Sequence, residues 1–299
     1  MTAWPDLPYQ EWRATRDTLH MYTQVVGKLR LALSTFEPHW ANVPLYLTAR
    51  GLTTGLMPVD ERSIEAEFDF FDHALVIRST DGGVARRPLG GAVADFYAGV
   101  MDDLAHLDAT VEVSTLPTEV PHPIAFPRDR AHDTYEPTQA HRFWRVLSLV
   151  DTVLKDHRAR FNGRTTPVEF YWGTFDLALS RFCGRPADPG PKADVIHYFS
   201  RTAEAIACGW WPGDEDHPAP AFYAYAHPKP EGIERAAIRP ARAGWSERAG
   251  EFLLPYADVR TAADPRAEIL AFCESTYDAA ATRLAWPRDL TEIETPPAR

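Results

Sequence analysis

Apolar side chains at Leu19, Tyr22, Val25, Val26 and Leu29 fall three and four positions apart, the spacing of one helical face, which predicts a helix over about 12–33. The same spacing returns 124 residues later at Phe143, Val146, Leu149, Val150 and Val153, predicting a second helix over about 138–161. Each helix is followed, at the same offset to within one residue, by a strand-like run: Val43 to Leu47 and Val168 to Trp172. After the first run Ile64, Ala66, Phe68 and Phe70 alternate, and Asp72-His73 and Asp81-Gly82-Gly83 supply turns, so an antiparallel meander is expected. A closing helix carries Val93, Phe96, Tyr97, Val100, Met101 and Leu104. Its counterpart carries Ile269, Phe272, Cys273, Thr276, Tyr277 and Ala280 at an offset of 176. There Asp264 is placed to cap and Pro265 to open the helix.

The chain therefore reads as one plan written twice, the second copy longer by 52 residues. The expected fold class is α+β, with two similar helix–antiparallel sheet–helix halves related by pseudo-twofold symmetry and the second half enlarged. Residues 1–115 form the first repeat. Residues 116–137, with Pro117, Pro121, Pro123, Pro127 and Pro137, form a connector that cannot be helical. Residues 138–290 form the second repeat and 291–299 a flexible tail. A short strand is expected at 111–113, and 175–179 reads either as strand or as short helix. The insertions fall in 184–220 and 229–250, flank the strand Phe222 to Ala226, and are expected to be irregular lids or binding loops.

Net charge is −11 and no basic run exceeds Arg86-Arg87, so neither nucleic acid nor an anionic membrane is an expected partner. Three separated cysteines without a Cys-x-x-Cys pair fit a reducing compartment. No apolar window reaches the roughly 20 residues of a membrane span, and the expectation is a soluble, untargeted, cytoplasmic protein. Phosphate-loop patterns, Gly-x-Ser-x-Gly and His-x-x-x-His are absent. No metal site is assigned, since one would need distant ligands such as His20, His39 and Glu204. Nothing designates a cofactor or an oligomeric state.

The candidate chemistry lies in residues whose placement is costly or unusual. His20, Gln24 and Lys28 form a polar stripe on the first helix, beside Gly27 and interrupted by Leu31, which predicts that something covers this face; a solvated face is the alternative. His39-Trp40 stands before the first strand, as ligand group or as cap and core edge. Arg50 precedes Gly51-Leu52-Thr53-Thr54 and suits a carboxylate or phosphate. Asp176 has Arg181 and Arg185 near it in sequence, an arrangement more often structural than catalytic. Glu204 and Cys208 share a face if their segment is helical, and Trp210-Trp211 between Gly209 and Gly213 reads as a stacking platform or a core plug. In the functional reading His20, His39, Asp176 and Glu204 are acid/base candidates. Arg50 and Arg181 hold an anion, Trp40, Trp172 and Trp211 form aromatic walls, Gln24 and Lys28 line the pocket, and Trp210 and Tyr223 complete the ligand-binding set.

Several stretches resemble an uncharacterised bacterial family of about this length, a domain of unknown function. They are Thr18 to Lys28, Val43 to Tyr46 with Arg50 to Thr54, Arg142 to Arg145, Trp172 to Leu177 and Pro220 to Tyr225. The resemblance spans about Trp4 to Trp286 and implies no activity. Ala41 stands where the family commonly has a second Trp, and Ala203 where a His commonly precedes Glu204, which weakens a His-plus-Glu site there. The leading expectation is an enzyme or enzyme-like protein binding a small organic ligand, anionic or aromatic, between its halves. The alternative is a non-catalytic ligand-sensing or interaction module using a tryptophan-rich surface.

Overall fold

The computed structural model describes residues 4–293. In chain order the elements are α1 (Tyr9–Leu33), β1 (Tyr46–Leu47), β2 (Gly51–Thr53), β3 (Met57–Val59), β4 (Arg62–Asp69), β5 (Ala74–Ser79), β6 (Val84–Pro88), α2 (Val93–His106) and α3 (Pro137–Arg158). There follow β7 (Arg164–Thr165), β8 (Glu169–Tyr171), β9 (Asp176–Pro186), α4 (Val195–Ser200), β10 (Ala203–Trp211), β11 (Ala221–His227), β12 (Gly244–Ser246), β13 (Glu251–Pro255), α5 (Tyr256–Arg260) and α6 (Pro265–Arg283). The fold is α+β with antiparallel sheets. By internal contacts the chain divides into two units: Leu7–Ser148 with Glu169–Asp176, and residues 4–6, Leu149–Val168 and 177–293. The segment read as a connector belongs to the first of these.

In the first unit the sheet order is β1-β2-β4-β5-β6, with β3 hairpinned onto β4. Alternation places Ile64, Ala66 and Phe68 of β4 in the core, as the period of two requires. Helix α1 is buried without a break from Thr18 to Arg30, so it behaves as an all-round buried helix despite its polar stripe. Leu45 and Phe170 exchange both backbone hydrogen bonds, at 2.9 and 2.8 Å. Trp144 Nε1 donates to the Thr48 carbonyl at 3.3 Å, and Phe143 stacks on Phe175.

In the second unit β12-β13-β11-β10-β9-β7 form an antiparallel sheet. Helix α6 packs on β10 and β11, burying Ile269, Phe272, Cys273 and Ala280. Asp264 accepts a hydrogen bond from the Ala267 amide at 3.0 Å, the cap expected there.

Several local expectations are corrected. Residues 111–113 form no strand. Of the stretch 175–179, Phe175 is a turn residue at positive φ and 176–179 is strand, the start of β9. Residues 203–211, inside the stretch expected to be irregular, form the nine-residue strand β10, because small Ala and Gly positions let it lie between two neighbours: a Cβ at Gly209 would sit 2.5 Å from the Leu177 carbonyl and 2.6 Å from the Tyr223 ring. Of the expected tail, 291–299, residues 294–299 lie outside the described residues, and Thr291 ends the 3-10 turn Arg288–Thr291.

Candidate functional site

The α1 stripe is covered. Position 27 faces the Trp172 indole so closely that a Cβ there would lie 2.2 Å from a ring carbon, which explains glycine in a helix interior. His20 Nε2–H donates to the carbonyls of Trp172 at 3.1 Å and Gly173 at 3.0 Å. Gln24 clamps Thr118, donating to its carbonyl at 2.7 Å and accepting from its amide at 3.0 Å. Lys28 Nζ donates to Thr118 Oγ1 at 2.9 Å and stands over the Trp172 ring. Trp172 Nε1 in turn donates to the Val43 carbonyl at 2.8 Å. Burial, reinforced by Arg16 and only partly offset by the two carbonyls, pushes the His20 pKa down to about 3, so the ring is a neutral, fixed donor at neutral pH rather than a proton relay. The stripe brings His20, Gln24, Lys28 and Trp172 together, and each is occupied in fixing two backbone segments to α1.

The other residues singled out by sequence sit elsewhere. His39 and Trp40 lie in a 3-10 turn, both half-buried and both at positive φ. Arg50 is bound by Asp69 at 2.6 Å and Asp72 at 3.1 Å and lies over Phe71, which makes it a hairpin clamp. Asp176 accepts from the Thr174 hydroxyl. Glu204 accepts from Arg185 at 2.7 Å and from Trp286 Nε1 at 2.8 Å, tying the end of β9 and the chain after α6 to β10. Trp210 is fully buried against Tyr256, a core plug, while Trp211 packs on His217 and Tyr223 stacks on Tyr225. Of the nine tryptophans six are buried and three half-buried, so none is fully exposed.

Arg181 is the exception. It is 1% exposed on β9, its Nη2 donates to the His157 carbonyl and approaches Glu274 at 3.4 Å, and its guanidinium lies over Phe161 and Tyr277. Its Nε and Nη1 have no hydrogen-bond partner among the described residues. Glu274 of α6 also accepts from His157 Nδ1 at 2.7 Å. Buried charge of this kind is costly unless it is paired, and here three elements of the second unit supply the pairing.

One turn along α6 from Glu274 the surface opens into a cavity of about 350 Å³ lined by Ala236, Ala237, Arg239, Ser275, Asp278, Ala279, Thr282 and Arg283. Its far wall is pinned in place: the Arg239 amide donates to Ser275 Oγ at 2.9 Å and Ser275 donates back to the Arg239 carbonyl at 3.2 Å. Burial and the Glu274 carboxylate push the Asp278 carboxyl up, against the pull of Arg181 and Arg239. No group of three or more His, Cys, Asp or Glu side chains among the described residues is placed to hold a metal ion, and no described helix is long and apolar enough to cross a membrane.

Residues 4–293 match the sequence profile described as a family of unknown function, DUF5996. The chain belongs to that family. No curated protein and no solved structure matches it. DUF5996 carries no activity to transfer, so function has to be read from geometry.

Sequence reading of this DUF5996 chain missed His157, Glu274, Cys273 and the groove residues Arg239, Ser275, Asp278 and Arg283. Two signals were legible. His157 continues the apolar stripe of Phe143, Val146, Val150 and Val153 on α3, and Arg181 continues the buried face of Leu177 and Leu179 on β9. A titratable residue on an otherwise apolar face announces a buried polar network.

Proposed function

We propose that the protein binds a small organic anion in the groove beside α6. The observation that carries this reading is the cavity of about 350 Å³ whose lining sets Arg239 and Arg283 against the hydroxyls of Ser275 and Thr282 over Ala236, Ala237 and Ala279. Its volume falls in the range of about 300–1,000 Å³ typical of small-molecule sites. Two guanidinium groups supply planar donors for a carboxylate or phosphate, and the alanines accommodate an apolar or aromatic body. The lining also holds the Asp278 carboxyl, whose ionisation burial and Glu274 oppose, so in a chain of net charge −11 two guanidinium groups against one carboxyl leave the groove locally cationic. The reciprocal Ser275–Arg239 hydrogen bonds pre-organise it, which limits the ordering cost of binding.

The test is a thermal-shift and ligand-observed NMR panel of small mono- and dicarboxylates, aromatic acids and phosphate esters on the full chain. Binding by a subset of anions, lost in the doubly substituted Arg239→Ala/Arg283→Ala protein while its circular dichroism is unchanged, supports the reading. Equal responses from wild type and double variant, or none at millimolar ligand, overturn it.

A further inference from the structure

The groove beside α6 has a length and a polarity, and together they narrow the anion. Ser275, Asp278, Ala279, Thr282 and Arg283 recur at steps of three and one, which places them on one face of the helix. Positions 275 and 283 lie a little over two turns apart, about 12 Å along the axis. Each end carries one guanidinium. Ser275 holds the main chain of Arg239 at the N-terminal end, accepting from its amide at 2.9 Å and donating to its carbonyl at 3.2 Å. Arg283 stands at the other end, and its Nη1 donates to the Ala279 carbonyl at 2.9 Å, which draws the guanidinium back by one turn. Anionic groups bound at the two guanidiniums then stand on the order of 7–12 Å apart. Both arginines are exposed, and neither enters an ion pair among the described residues. Arg283 spends a single N–H on Ala279, which leaves the rest of its planar fork for a ligand.

The middle differs from the ends. Between Ser275 and Thr282 the helix offers Asp278 and Ala279, and the loop adds Ala236 and Ala237 to the lining. Burial and the Glu274 carboxylate already oppose ionisation of Asp278, against the pull of Arg181, Arg239 and His157. A ligand charged in its middle would bring a further negative group to that carboxyl, whereas an uncharged chain meets methyl groups. Charge also separates the acids. One guanidinium matches one carboxylate, bidentate and in plane, while a phosphate monoester at each end would carry nearly twice the charge of its arginine. We propose that the groove takes an elongated dianion with an uncharged middle, an extended α,ω-dicarboxylate with one carboxylate on Arg239 and the other on Arg283; this rests on the anion-binding reading given above. A monocarboxylate fills one end only, and a short dicarboxylate cannot reach both.

The experiment is calorimetric titration of the full chain, at constant ionic strength, with malonate, succinate, adipate, suberate and sebacate, and with hexanoate and octanoate as one-ended controls. Affinity should pass through a maximum at adipate or suberate and exceed that of the monocarboxylate of equal length by about tenfold or more, the return on one further charge-assisted contact. Arg239→Ala and Arg283→Ala should each reduce suberate to the level of octanoate. Adipate should bind more tightly than β-carboxyadipate, which adds a charge in the middle, and Asp278→Asn should narrow that gap. Monocarboxylates as tight as dicarboxylates, an affinity flat in chain length, a length optimum that survives either single substitution, or β-carboxyadipate equal to adipate would overturn the inference. If binding in those cases is still abolished by Arg239→Ala/Arg283→Ala together, the anion groove stands without it. Silence from every anion removes both.

Discussion

Two buried histidines, one in each unit, are driven in opposite directions. His20 meets backbone carbonyls, the Gln24 amide, the Phe175 ring and the cationic Arg16, and burial drives its pKa down to about 3. His157 is buried as deeply, yet Cys208 and Glu274 outweigh desolvation and raise it. The first ring is a neutral strut. The second has its charged form favoured by Cys208 and Glu274, and it stands near the end of α3, where the helix dipole favours a cation. Burial of a polar residue therefore says nothing by itself about chemistry; what matters is whether its partners are main-chain groups that never titrate or side chains that do.

The comparison breaks most sharply at Glu274. Replacing it by Ala leaves His157 and Arg181 without their carboxylate in the interior, and loss of one partner of a buried pair costs about 3–5 kcal/mol. Urea unfolding at neutral pH checks this, and a loss under about 1 kcal/mol, the size of a surface pair, would show that the network carries little. The first unit answers to shape. Gly27→Leu drives a side chain into the Trp172 ring, which lies 2.2 Å from the Cβ position, and overpacking of this kind costs about 1–3 kcal/mol or more. An unchanged unfolding midpoint would return the stripe to solvent.

How much of this was readable beforehand differs between the units. The α1 stripe was legible because Gly27 and Leu31 were misplaced for a solvated face, and the face is covered, although Leu31 itself is 38% exposed. The antiparallel meander between two helices in the first unit was legible from periodicity alone. The α6 groove was not legible. Its residues come from a loop and a helix 36 or more positions apart for the Arg239–Ser275 contact, and no local period links them. The shared face of Glu204 and Cys208 was read on the condition of a helix; the segment is a strand, and at i and i+4 both geometries place the two on one face.

The histidines also predict opposite pH behaviour. A ring whose folded pKa lies below its unfolded value binds fewer protons when folded. The stability His20 supplies is therefore complete above about pH 6.5 and drains as pH falls toward 3, by up to about 1.4 kcal/mol per pH unit. His20→Gln should flatten the stability profile between about pH 4 and 6. His157 has the reverse sign: its contribution is complete below about pH 6.5 and is lost as pH rises through its raised folded value. His157→Gln should therefore flatten the neutral-to-alkaline limb and leave the acid limb in place. Parallel slopes in the two variants would contradict the distinction between strut and held charge.

The smallest effect belongs to Arg50, which the sequence offered as an anion holder. Its guanidinium is already spent on Asp69 and Asp72 and lies over Phe71, so an added carboxylate or phosphate would have to displace two aspartates. The contact is nevertheless organised from one side. Asp69 is buried and also accepts the amides of Phe71 at 2.9 Å and Asp72 at 3.0 Å, so the turn between β4 and β5 keeps its own hydrogen bonds when the arginine is removed. Arg50→Ala should then shift the unfolding midpoint less than any variant above. The shift should vanish in about 1 M salt, where the screening length is about 3 Å. Titration of this variant with the anions that bind wild type sharpens the comparison once more: binding unchanged places the site at α6, whereas binding lost with Arg50 alone would move it to the first unit and overturn the assignment to Arg239 and Arg283.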